Sequence, residues 1–196
     1  MDVTHSTQQY YADHAESFAE STQAVDMSAL YERFVPYLSA ECSLLDAGCG
    51  SGRDAKFFQS LSFRVAAFDA SPELAALASE YSGVQVAVDT FQGFTAQAQY
   101  DAIWCCASLL HVPKAELGDV MQRLARALAA QGVIYMSFKY GDQERVKDGR
   151  FFCDQTEQTI TAYLADFEVC EMWVTGDQRV DRSAEKWLNV IVRKQV

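Results

Sequence analysis

The sequence predicts an α/β fold: an open, doubly wound, mostly parallel sheet of seven strands, an antiparallel C-terminal strand, and helices on both faces. Three observations carry that prediction. A glycine-rich turn, Gly48-Cys49-Gly50-Ser51-Gly52, separates an apolar strand from a helical run. From Ser43 to Lys139, short β-rich runs alternate with helical stretches. Near the end, Phe167 to Val174 and Trp187 to Val192 read as strands, and the polar stretch between them is too short for a crossover helix. Those two strands should therefore pair antiparallel.

The N-terminal segment carries two helical patterns. Gln8 to Glu20 places Tyr11, Ala15 and Phe18 at helical spacing, and Ser28 to Tyr37 does the same with Leu30, Phe34 and Tyr37. The first strand, around Leu44 and Leu45, ends in Asp46, and Arg53 to Phe58 starts the next helix. A side chain at Gly48 or Gly50 would fill the space a ligand needs. The backbone amides at the helix start suit an anionic or electron-rich group. A nucleoside-type cofactor is the expected ligand.

Phe63 to Phe68 reads as a buried parallel strand that leads to Asp69-Ala70-Ser71-Pro72. Ser71 can cap the following helix, with Pro72 in its first turn. That leaves Asp69 to accept hydrogen bonds from ribose hydroxyls, although a capping role is the alternative. Val84 to Val88 is a third strand before Asp89-Thr90-Phe91, and Tyr100 to Cys106 a fourth before Ala107-Ser108-Leu109-Leu110-His111-Val112-Pro113. His111 is either a general base or a packed structural histidine. Val133 to Phe138 is the fifth strand, Tyr140 to Gly149 a solvated loop, and Thr156 to Leu164 a short helix capped by Asp154 or Thr156.

The order acid-x-Gly-x-Gly-x-Gly, Asp46 to Gly52, differs from the Gly-x-Gly-x-x-Gly of dinucleotide sites. With the strand ends at Asp69, Asp89 and Ala107, it resembles class I S-adenosylmethionine-dependent methyltransferases, and most nearly their small-molecule and tellurite-resistance-like branch. The resemblance spans Ser43 to Pro113 and extends more loosely to Lys139. It implies a Rossmann-like sheet and S-adenosyl-L-methionine as cofactor. The implied cofactor residues are Asp46, Gly48, Cys49, Gly50, Gly52 and Arg53 at the turn, and Asp69, Ala70 and Ser71 after the second strand. Asp89, Thr90 and Phe91 would lie beside the adenine, and Ala107 near the transferred methyl. The family's N-terminal extension often lids the cofactor, which makes residues 1–42 a helical lid on a core of residues 43–196, all in one domain. Tyr10 and Tyr11 would stand at that lid.

Loops at the carboxyl ends of the strands carry Lys139, Arg150 and Arg182, so the acceptor is expected to be small and anionic. Arg179 reads more simply as a surface charge paired with a nearby acid, and Trp173 and Trp187 as core aromatics. The chain has 196 residues, 49% of them hydrophobic, which suits one domain with a full core. Sixteen Lys and Arg against 27 Asp and Glu give a net charge of −11, which disfavours nucleic acid and anionic membrane as partners. Six cysteines without a Cys-x-x-Cys pair point to reduced thiols of a cytoplasmic protein, with no metal site. The expected state is a monomer or homodimer with a small-molecule methyl acceptor.

Three other functions compete with this reading. A base amino-methyltransferase of DNA or RNA would carry Pro-Pro after the fourth strand, where this chain reads Cys105-Cys106-Ala107-Ser108. Cytosine-carbon methylation uses a thiol beside a proline, so Cys105 and Cys106 are read as buried strand residues. A nicotinamide-dependent oxidoreductase is disfavoured by the glycine spacing. A non-catalytic S-adenosylmethionine-binding module stays open.

Overall fold

The computed structural model describes residues 3–179 and 185–195. Strands β1 (Ser43–Ala47), β2 (Arg64–Asp69), β3 (Val86–Val88), β4 (Tyr100–Cys105) and β5 (Leu128–Lys139) run parallel. Two more, β8 (Phe167–Gly176) and β9 (Lys186–Lys194), complete a seven-stranded sheet ordered β3-β2-β1-β4-β5-β9-β8. β9 is antiparallel to both neighbours; for its pairing with β8 the short link between the two required it.

Helices cover both faces. On one, α3 (Ser28–Phe34) and α4 (Arg53–Ser60) bury Leu30, Phe34 and Phe58 against Leu44, Trp104 and Tyr135. α5 (Pro72–Ser82) packs its alanines, Ala75 and Ala78, beside Ala55 and Ala67. On the other, α6 (Lys114–Ala127) buries Leu117, Val120, Met121 and Leu124 at helical spacing. No helix among the described residues is long and apolar enough to cross a membrane.

Local chemistry sets the helix ends. The Ser71 hydroxyl accepts the Leu74 N–H at 3.2 Å, Pro72 occupies the first turn, and Gly83 closes α5 in the left-handed region at φ 77°. Thr156 caps α7 (Glu157–Ile160), with Thr159 returning the bond, so the cap is Thr156 and not Asp154.

Two expectations need correction. The helix expected over 8–20 is broken at His14 into α1 (Val3–Asp13) and α2 (Ala15–Gln23). The His14 ring bonds back to the Tyr10 carbonyl at 2.8 Å and stacks on the Tyr10 ring. The His14 backbone leaves helical angles there, at φ −120° and ψ 17°, although the i to i−4 bonds on either side persist. The segment expected as a solvated loop folds as a hairpin, β6 (Glu144–Lys147) with β7 (Arg150–Cys153). Asp148 and Gly149 both have positive φ, 51° and 78°, which is the tight two-residue turn such a pair favours. The hairpin and α1 together roof the carboxyl ends of the parallel strands. Thr7 on α1 accepts the Phe151 N–H at 2.9 Å.

Candidate functional site

A cavity of about 480 Å³ opens at those carboxyl ends, beneath α1 and α2. The glycine turn forms one wall. Gly48, Gly50 and Gly52 have φ of 72°, 55° and 77°. The Gly48 and Cys49 N–H groups bond the Phe68 carbonyl at 2.9 and 3.0 Å, tying the turn to β2. A Cβ at Gly50 would stand 3.2 Å from Phe18 of α2, in the space between turn and roof. The bare backbone is therefore the wall of the cavity, and a nucleoside-type group fits against it.

Asp69, the last residue of β2, lies in this wall. Its Oδ2 accepts the Gly50 N–H at 2.8 Å and its Oδ1 the Ser71 N–H at 3.0 Å. Burial raises its pKa and these backbone bonds oppose the rise. Each oxygen retains accepting capacity for a ribose hydroxyl, while Ser71 does the capping. Ala70, Ser71, Asp89, Thr90 and Phe91 continue the wall, and Phe91 packs edge-on against Phe68. Ala107 follows β4 with a positive φ of 52°, held by its N–H to Ser137 Oγ at 2.8 Å. Cys105 is buried in β4, but Cys106 lies beyond the strand and lines the cavity.

Three of the expected contact residues lie behind the wall and not in it. Asp46 is buried under the turn, with Oδ2 lacking any partner. Burial, reinforced by Asp54, raises its pKa well above the usual carboxylate value, and Arg53 opposes the rise. Gly52 is the N-terminal cap of α4, pressed on the Ala78 backbone. Tyr10 stacks behind the Arg150 guanidinium, 4.5 Å from ring centre to Cζ. Arg53 reaches the cavity, but its fork is taken by Asp54 at 2.6 and 2.9 Å.

Of the expected substrate residues, Tyr11, Lys139 and Arg150 all line the cavity. Arg182 lies outside the described residues. Lys139 is a matched charge: it pairs with Asp177 and Glu185 and sits 3.9 Å over the Trp187 ring. Arg179 pairs with the same Asp177 at 2.8 Å, as expected, but it lines the cavity and is not a plain surface charge. Arg150 differs. Among the described residues its nearest carboxylate, Asp148, stands 4.0 Å away, and its buried Nε has no partner.

His111 ends a short helical turn after β4. Its Nδ1 is 2.6 Å from the Phe151 carbonyl and its Nε2 2.9 Å from the Tyr11 hydroxyl. Burial lowers its pKa to about 4, Phe151 opposes this, and Arg150 adds to it. An unfolded histidine titrates near 6.5, so the unfolded chain binds more protons between the two values. Stability should therefore fall as pH drops from 6.5 to 4, by about 3 kcal/mol from this one group. Thermal unfolding across that window should show a shallower acid loss in His111→Gln than in the unsubstituted chain; parallel curves would refute it.

Phe18, marked only by its helical spacing, lines the cavity, and several lining residues carried no sequence signal: Thr22 on α2, Asp177, and Asn189 on β9. They come from segments that the fold alone brings together. Trp187, read as core, lines the cavity too.

A family model described as a methyltransferase domain matches residues 18–187. It is a general description and selects no tellurite-resistance-like branch. No curated protein matches the sequence. Among solved structures, the chain is similar to a Burkholderia thailandensis 1,6-didemethyltoxoflavin-N1-methyltransferase, seen with 1,6-didemethyltoxoflavin and S-adenosylhomocysteine. The TM-score is 0.79 at 20% identity, over 96% of this chain and 87% of that one. An S-adenosylmethionine-dependent methyltransferase from Anabaena variabilis gives 0.77 at 16%, over 100% and 96%. One from Methanosarcina mazei gives 0.75 at 17%, over 85% and 98%. At such identities the likeness is one of fold.

Proposed function

This chain belongs to the methyltransferase-domain family, and from that premise we propose that it transfers a methyl group from S-adenosylmethionine to a small, anionic acceptor. The supporting observation is Arg150: an enclosed guanidinium on the cavity wall, with no carboxylate at hydrogen-bond distance among the described residues. A planar fork of donors suits a carboxylate or similar oxyanion. Bound S-adenosylmethionine supplies a methyl group made electrophilic by its sulfonium. The turn around Gly48 and Gly50, with Asp69, would hold the nucleoside, and residues 1–42 would act as the lid of a single domain. The chain's own task is to align the acceptor and exclude water.

Calorimetry tests the cofactor. S-adenosylmethionine and S-adenosylhomocysteine should bind and a nicotinamide dinucleotide should not; the reverse pattern refutes the reading. Asp69→Ala should weaken S-adenosylhomocysteine binding by about 1–3 kcal/mol, the value of a charged acceptor lost from two hydroxyls. An unchanged dissociation constant in a folded variant would reduce Asp69 to a turn-holding role.

Arg150→Ala should raise the acceptor's Michaelis constant tenfold or more, by the loss of about 1.5–3 kcal/mol of charge-assisted bonding, with cofactor affinity nearly intact. Equal losses for both ligands would mean that Arg150 only supports the roof.

A further inference from the structure

Resting on the methyltransferase reading above, we infer that Tyr11 receives the acceptor's proton, with His111 behind it, so that the acceptor atom is a proton-bearing O–H, S–H or N–H. The hydrogen bonds impose this direction. The Phe151 carbonyl can only accept, so at 2.6 Å His111 Nδ1 carries the imidazole proton. Nε2 then presents a lone pair, and the Tyr11 hydroxyl 2.9 Å away donates to it. With its proton committed to His111, the Tyr11 oxygen is left as an acceptor on the wall of the cavity, where the Arg150 guanidinium takes one of its lone pairs and the other faces a donor from the acceptor. A proton-bearing nucleophile can donate to it; a thioether, a tertiary amine or a bare metalloid lone pair cannot.

The charged and titratable surroundings agree. Arg150 from β7 faces both members of the pair, and Tyr10 flanks them from α1. Burial and the Arg150 charge keep His111 neutral near pH 7, so its lone pair is available. Burial likewise keeps Tyr11 a phenol, its pKa raised in spite of Arg150. An anionic acceptor pairing with Arg150 cancels the charge that opposes protonation of His111. Holding α1 to β7 does not require the pair, because Thr7 already bonds Phe151.

The step balances. The acceptor heteroatom forms its bond to the methyl carbon as the methyl–sulfur bond breaks, with the pair going to sulfur. The acceptor's proton passes to Tyr11 Oη while the phenol's own proton passes to His111 Nε2. The imidazolium returns its proton to water when the products leave.

The test starts with the whole chain saturated with S-adenosylhomocysteine. Side-chain nitrogen NMR should resolve its three histidines, His5, His14 and His111. His111 should be neutral with the proton on Nδ1, and Tyr11→Phe should move the His111 Nε2 resonance alone. A proton on Nε2, or an Nε2 resonance that Tyr11→Phe leaves in place, overturns the relay. Failure of S-adenosylhomocysteine to bind would instead strike the methyltransferase reading, leaving this one distinguishable. A second arm supplies S-adenosylmethionine with para-hydroxybenzoate, its thiol and its methylamino analogue, against para-dimethylaminobenzoate. Turnover of a protic probe that drops roughly 100-fold in Tyr11→Phe, with S-adenosylhomocysteine affinity within twofold, supports it. Preferential methylation of the dimethylamino probe, or a loss under threefold, overturns it.

Discussion

Asp54→Ala should lower the unfolding free energy by about 3–5 kcal/mol, the cost of leaving a buried charge without its partner. Asp54 is buried at the start of α4 and takes four hydrogen bonds: two from Arg53, one from the Tyr31 hydroxyl, and one from Trp104 Nε1 at 2.8 Å. Burial alone would raise its pKa; Arg53, Tyr31 and Trp104 outweigh that and hold it ionised. The alanine strands a mostly buried guanidinium and an indole N–H inside the aromatic layer of Tyr31, Phe58 and Trp104. The melting temperature should fall on the order of 10 °C in a domain of this size. Asp54→Asn, which keeps one accepting oxygen, should lose less. A melting point unmoved by the alanine would show that the network is dispensable.

Gly48→Ala should cost cofactor affinity and stability together. At φ 72° a side chain adds about 1–2 kcal/mol of backbone strain. The new Cβ would also lie 2.6 Å from Ser108 Cβ. Ser108 cannot simply turn aside, since its hydroxyl is bonded to the Ala47 carbonyl at 2.7 Å. Relief must shift the segment that leads to His111. S-adenosylhomocysteine binding should fall at least 100-fold, about 2.7 kcal/mol. Native affinity by calorimetry would mean the turn has slack that its contacts do not suggest.

The strand ends were readable because each carries a local chemical cue: glycines after β1, an acid after β2, Ser71-Pro72 at the helix start. The hairpin β6–β7 was missed although Asp148-Gly149 is a strong turn pair, because its flanking residues are charged and do not alternate cleanly. Lys139 and Arg150 look alike in sequence, as cations on the one stretch that follows the fifth strand. Only packing separates them, since Asp177 and Glu185 reach Lys139 from the far end of the chain. The break at His14 was equally hidden: a ring bonding back four residues leaves the apolar period intact on both sides. Asp46 belongs to the glycine pattern by spacing, yet a strand position facing inward takes it out of the cavity.

The long-range bonds of α1 bear on how the protein is made. Thr7 finds Phe151 144 residues later, and Tyr11 finds His111 100 residues later. At ribosomal rates of about 5–20 residues per second, the Thr7 partner emerges roughly 7–30 s after Thr7 itself. The helix is thus synthesised well before the residues it docks on. Through that interval the parallel strands β1 to β5 can assemble with their carboxyl edge uncovered, and the newborn chain passes through an open-topped form before α1 comes down onto β7.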